Sequence, residues 1–233
     1  MATLRSVAED AVTEAIGRSH RDDPVAGAAG GPAGNARLTA WIGVLLLVLF
    51  LAEVITLADL RSLISWHVAI GIILIPPAIA KTCSTGWRIV RYYTGNPTYR
   101  QAGPPPLALR VLGPIVIAAT LAVLGTGLGL VLVSPITATS SIVGGVTLLM
   151  LHKAAFVVWG VATGLHTMGR FVPAARLITA RIAVPGSAVR FGAIAVTAAV
   201  AVVVGLLGVQ LAGPWHDARV GDHHRDRVHA YRR

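Results

Sequence analysis

Five apolar stretches, separated by short polar or turn-rich segments, dominate the pattern along the chain. Residues Thr39–Ala58, Ser62–Lys81, Leu107–Val133, Ser141–Arg170 and Phe191–Ala212 are each long and apolar enough to cross a hydrocarbon core of about 30 Å as a helix. The second stretch carries Trp66 where an interfacial aromatic belongs. Pro76-Pro77 should kink it, and it can continue past the membrane through Trp87, Arg88, Arg91, Tyr92 and Tyr93. The third carries Gly125, Gly127 and Gly129, a flat patch. The fourth carries Gly160 and Gly164 in the small-xxx-small spacing of packed membrane helices.

The flanks are different. Thr3–Arg18 reads as an amphipathic helix, with Leu4, Val7, Ala8, Ala11, Val12, Ala15 and Ile16 on one face and Thr3 as N-cap. It lacks the apolar core and cleavage pattern of a secretory signal. His20–Arg37 is rich in Gly, Ala and Pro and reads as a flexible linker. The expected organisation is therefore residues 1–37 as a cytoplasmic amphipathic helix and linker, 38–213 as a transmembrane helical domain, and 214–233 as a polar His/Arg-rich tail. The SPITATSS segment reads as a plain turn, and Arg170–Arg190 as a basic connector.

Composition agrees. Hydrophobic residues make up 55% of the 233 and charged residues 13%, against about 25% in soluble domains, so the chain is an integral membrane protein. The net charge of +10 is explained by position. Between Arg61 and Arg190, inclusive, stand eleven Lys or Arg and no Asp or Glu. The connection after the second stretch holds Arg88, Arg91 and Arg100, and the one after the fourth holds Arg170, Arg176 and Arg181. The other two short turns share only Arg61. The positive-inside rule then places the N-terminus and both basic loops in the cytoplasm of a bacterial inner membrane. The five Arg of the tail run against that orientation. No nucleic-acid-binding motif is present, so the expected partners are membrane lipids. The lone cysteine, Cys83, excludes an iron–sulfur cluster held within the chain.

The chemistry of interest is ionisable and lies inside the spans. His152 and His166 are fourteen residues apart, nearly four helical turns, so both rings leave one face about 21 Å apart along the axis. His67 enters from the outer end of the second stretch. His67 and His152 could ligate one haem iron axially, although counted from the expected helix starts their depths differ by about five residues, or about 7 Å. The position fourteen residues after His67 is Lys81, not histidine. Lys81 could pair with a haem propionate or ligate an inner haem, or His166 could be structural, donating to a backbone carbonyl. Gly71, Gly160 and Gly164 would leave room for a porphyrin edge. Lys153, the only other lysine, is expected to pair either with Glu53, the only carboxylate within the spans, or with a propionate. Packing histidines and a solvated tail containing His216, His223, His224 and His229 are the plainer alternatives.

The W-H pair (Trp66, His67), the K-x₆-R-x₂-R-Y-Y run and the L-H-K…L-H pair resemble the bacterial cytochrome b561 superfamily over roughly Ser62–Arg170. That family includes the haem-bearing membrane subunits of formate dehydrogenases and nickel–iron hydrogenases. The IPP…KTCSTGWR..RYYTGNP…GPPP stretch is similar to small uncharacterised bacterial membrane proteins. The resemblance implies an all-α bundle of about five transmembrane helices with a cytochrome b-like four-helix core. It also implies haem b held by His67 and His152, with His166 as half of a second site, and electron transfer between a quinone pool and a partner redox subunit. Such a chain is an electron-transfer subunit rather than a stand-alone enzyme. The alternative is a haem-free polytopic scaffold or assembly subunit with structural histidines.

Overall fold

The computed structural model describes residues 4–16, 31–101, 107–133, 135–179, 183–213 and 215. Its helices are α1 (Leu4–Ala15), α2 (Gly31–Thr56), α3 (Ile64–Ile73), α4 (Ile75–Tyr93), α5 (Pro97–Gln101), α6 (Leu107–Leu132), α7 (Pro135–Thr139), α8 (Leu148–Thr179) and α9 (Ser187–Gly208). A two-stranded hairpin, β1 (Ser141–Val143) with β2 (Val146–Thr147), precedes α8. Five helical units, counting α3–α4 as one, are long and apolar enough to cross a membrane: 31–59, 64–93, 107–132, 148–179 and 187–211. Only 11% to 28% of the residues in the apolar window of each unit are buried. Most apolar side chains therefore face outward, as a hydrocarbon solvent allows and water does not. The protein is an all-α, multi-pass membrane bundle.

Around the bundle axis α2 contacts α8 and α3–α4, and α6 closes the ring by contacting both α8 and α3–α4. α9 lies outside this four-helix core against α2, α3 and α4. Ile42, Leu46, Leu74 and Ala78 form the buried centre between α2 and α4, and Val68 and Ile72 a second cluster with Val131 and Val204. α1 packs against α6 and α8. Its expected N-cap, Thr3, and the tail histidines fall outside the described residues.

Three boundaries differ from those read in the sequence, each for a physical reason. Residues 31–37 are the first turns of α2 rather than linker. Pro32 suits the opening of a helix, where its missing N–H costs nothing. Arg190 donates to the carbonyls of Pro185 and Val184 and folds that connector over Gly34, so this segment is buried. At Pro76-Pro77, where the sequence predicts a kink within one helix, the helix is interrupted at Leu74 and the second span divides into α3 and α4. The third difference moves the start of the fourth span. Ser141–Thr147 is not helical, because Gly144 and Gly145 take φ of +56° and +84° and turn the chain into the hairpin. Gly-Gly between β-branched residues favours that turn. α8 therefore starts at Leu148. It also runs past Arg170, through Pro173, to Thr179.

Candidate functional site

Delaying α8 until Leu148 aligns the two histidines. His67 is three residues into α3, counted from Ile64, and His152 four residues into α8, counted from Leu148. The depth mismatch expected from the sequence disappears. The imidazoles face each other with ring centroids 6.4 Å apart and planes at 82°.

Each ring is held by the same device. His67 Nδ1 lies 3.1 Å from Glu53 Oε1 and 3.0 Å from Thr56 Oγ1. The Thr56 hydroxyl proton is committed to the Glu53 carbonyl, so toward His67 the oxygen accepts. His152 Nδ1 lies 3.1 Å from Thr126 Oγ1, whose proton goes to the Ala122 carbonyl at 2.6 Å. With acceptors on both Nδ1 atoms, the protons belong on Nδ1 and the lone pairs on Nε2. That is the tautomer in which imidazole offers Nε2 to a metal, with the other nitrogen oriented by its hydrogen bond. Gly127 permits the fit, because a Cβ there would stand 3.1 Å from His152 Cε1.

Between the helices is a mainly apolar cavity of about 150 Å³, bordered by Phe50, Glu53, His67, Gly71, Gly127, His152, Phe156, Trp159 and Trp215. Trp215 reaches back from beyond α9 and donates from Nε1 to the Leu130 carbonyl at 3.0 Å. Trp159 packs edge-on to Phe50, with centroids 4.6 Å apart. Two buried polar atoms on this wall have no partner, Trp159 Nε1 and Glu53 Oε2.

The separation of the two rings matches one requirement of a haem iron, the distance between two axial imidazoles. Two imidazoles on opposite sides of one metal ion, each bonded at about 2 Å, have ring centres roughly 6 Å apart. Among the described residues no group of three or more His, Cys, Asp or Glu could hold a metal ion. A macrocycle is larger than the enclosed volume and would extend beyond it.

Lys153 does not take the expected partner. One residue on from His152, it is turned 100° around α8 and exposed, while Glu53 is committed to His67. The Glu53–Lys153 ion pair is absent, and no contact brings Lys153 to the cavity. Gly160 and Gly164 meet nothing within 4 Å of a built Cβ, so they face open space, and Gly71 gives room to the Glu53 carboxylate at 3.4 Å.

Lys81 and His166 both lie toward the far end of the bundle. Lys81 Nζ donates to the Thr39 carbonyl at 3.3 Å and lies over Gly43. A polar network of Asn35, Thr39 and Ser84 adjoins it. His166 Nδ1 is buried with no partner, so the expected bond from that nitrogen to a backbone carbonyl is not made. Glu53 as the His67 partner, Thr56, Thr126, Trp159 and Trp215 were not found by reading the sequence. A threonine on another helix carries no local signal of the imidazole it meets.

No protein-family model matches this chain, and neither a curated protein nor a solved structure is similar to it.

Proposed function

We propose that the protein is a b-type cytochrome of a bacterial inner membrane, with one haem b held axially by His67 and His152. The observation that carries this reading is the pair of imidazoles 6.4 Å apart, each with its Nδ1 beside a threonine hydroxyl. Bis-imidazole ligation leaves no open position for substrate, so the group would carry single electrons rather than transform a bound molecule. Glu53 would act through His67, as a carboxylate behind a ligating imidazole raises the basicity of the ligand. The apolar walls restrict water access, which helps set the potential. The donor and acceptor in this reading are a quinone pool and a redox partner subunit, with the N-terminus cytoplasmic.

Reduced-minus-oxidised visible spectra of protein purified from haem-replete cells test this directly. Paired α and β bands are expected from the wild type. His67→Ala and His152→Ala should each abolish them, and His166→Ala should leave them in place. A wild-type preparation without haem bands favours the alternative, a haem-free assembly subunit. The contact of Glu53 and Thr56 with His67, complete without iron, is the observation on that side.

A further inference from the structure

We infer that Arg91, seated on the rings of Trp87 and Tyr99, binds the phosphate of an anionic phospholipid headgroup at the arginine-rich end of the bundle. Trp66 and Trp87, both exposed, mark the two ends of the second span as interfacial aromatics do. They are twenty-one residues apart, about 32 Å along the helix axes, which matches a hydrocarbon core of about 30 Å. Arg91 is one turn further on, about 6 Å past Trp87, and so falls in the headgroup layer, where phosphates lie. Tyr92 and Tyr93, packed edge to face with centroids 5.2 Å apart, belong to the same layer.

Local structure fixes the guanidinium there. Trp87 precedes Arg91 by four residues on α4, so the two side chains share a face, and the guanidinium carbon lies 5.2 Å from the indole centre. Gly95, at φ +85°, turns the chain after α4. The Asn96 N–H then donates to the Arg91 carbonyl at 3.1 Å, and Asn96 Oδ1 accepts from the Tyr99 N–H at 3.3 Å. The turn brings the Tyr99 ring to 6.0 Å from the same guanidinium carbon. Ring faces attract the cation but give its N–H groups no oxygen acceptor. Arg91 Nε is buried without a hydrogen-bond partner, and residues 61 to 190 contain no Asp or Glu. The side chain is only half-buried, so the headgroup layer has access to it. Arg100 is exposed next to Tyr99, its guanidinium carbon 4.0 Å from a Cβ built on Gly95, so a second cation lies over the turn. A phosphodiester supplies oxygens for the Arg91 fork and negative charge for both arginines. Exposed Trp87 and Val90 leave apolar surface on α4 for acyl chains, which favours a lipid over soluble phosphate. The inference stands whether or not haem binds at the opposite end.

Native mass spectrometry of the full chain in neutral detergent, titrated with phosphatidylglycerol or with a phosphate-free glycosyl diacylglycerol, tests it. Phosphatidylglycerol is expected to bind about tenfold more tightly than the glycolipid, or better, and to resist displacement by millimolar inorganic phosphate. Arg91→Gln should weaken phosphatidylglycerol binding about tenfold and leave glycolipid binding unchanged. Lys153→Gln, which removes a positive charge near the opposite end, should change neither. Tyr99→Leu keeps the charge but removes one ring, and should weaken phosphatidylglycerol binding about three- to fivefold. Equal affinity for the two lipids overturns the inference, as does displacement by inorganic phosphate, unchanged affinity in Arg91→Gln, or an equal loss in Lys153→Gln. Should Arg91→Gln fail to fold, Tyr99→Leu decides, and unchanged phosphatidylglycerol affinity in that variant overturns the site.

Discussion

At the scale of single residues, the orientation of His67 and His152 depends on two threonines more than on the histidines themselves. Thr56 and Thr126 each donate their hydroxyl proton to a helix carbonyl and so can only accept from an imidazole Nδ1. Thr126→Val removes that acceptor while nearly preserving volume. The expected outcome in the cytochrome reading is a roughly 10- to 100-fold loss in haem retention, as for other groups behind a metal ligand. Pyridine haemochrome content per protein measures it. Glu53→Gln should act on the other ring, His67, and in the cytochrome reading alter the potential of the centre, followed by redox titration. Lys153 teaches the converse. A residue adjacent in sequence to a functional histidine is turned away from it by helix geometry, and Lys153→Gln should leave the visible spectrum unchanged.

At the scale of elements, close approach of helices decides where side chains meet. A methyl group built on Gly205 collides with Ile73, and one on Gly208 with Ile72. These two glycines let α9 lie against α3. Gly205→Val is expected to destabilise the bundle by about 1–3 kcal/mol through overpacking, seen as a lower midpoint in thermal unfolding followed by tryptophan fluorescence in detergent. The Gly144-Gly145 turn has a larger consequence than its size suggests. It keeps Ser141–Thr147 out of the helix, so that α8 starts at Leu148 and His152 lies level with His67. A helix starting at Ser141 would leave the two rings at different depths.

At the scale of the whole molecule, charge is distributed asymmetrically. Arg88, Arg91, Arg170 and Arg176 gather at one end of the bundle, and the paired histidines lie at the other. In the proposed orientation, which follows the positive-inside rule, the arginine-rich end is cytoplasmic. In a Cys83→Ser background, a membrane-impermeant maleimide should label Ser62→Cys in intact cells, whereas Thr94→Cys should react only after lysis. Both positions are exposed, so access rather than burial determines the result. The reverse pattern would invert the orientation.

Hydrophobic length and turn residues, both local properties, were enough to place five spans, the proline break near Pro76, the amphipathic α1 and the membrane setting. Each depends on the solvent a segment can tolerate or on a dihedral that a residue imposes. The two histidines as a pair on neighbouring spans were legible from spacing, although their alignment was not. The helical start of α2 at Gly31 depends on burial beneath the Arg190 connector, a contact 156 residues away in sequence. The start of α8 was in principle readable from Gly-Gly, but the apolar run across it resembles a helix until the turn is recognised. Partner choice lay wholly beyond the sequence. Glu53 meets His67 rather than Lys153, Thr126 meets His152, and Lys81 meets the Thr39 carbonyl, because distances between helices are set by packing around the core. One dimension of sequence specifies which face of a helix a residue occupies, and only the assembled bundle specifies what that face touches.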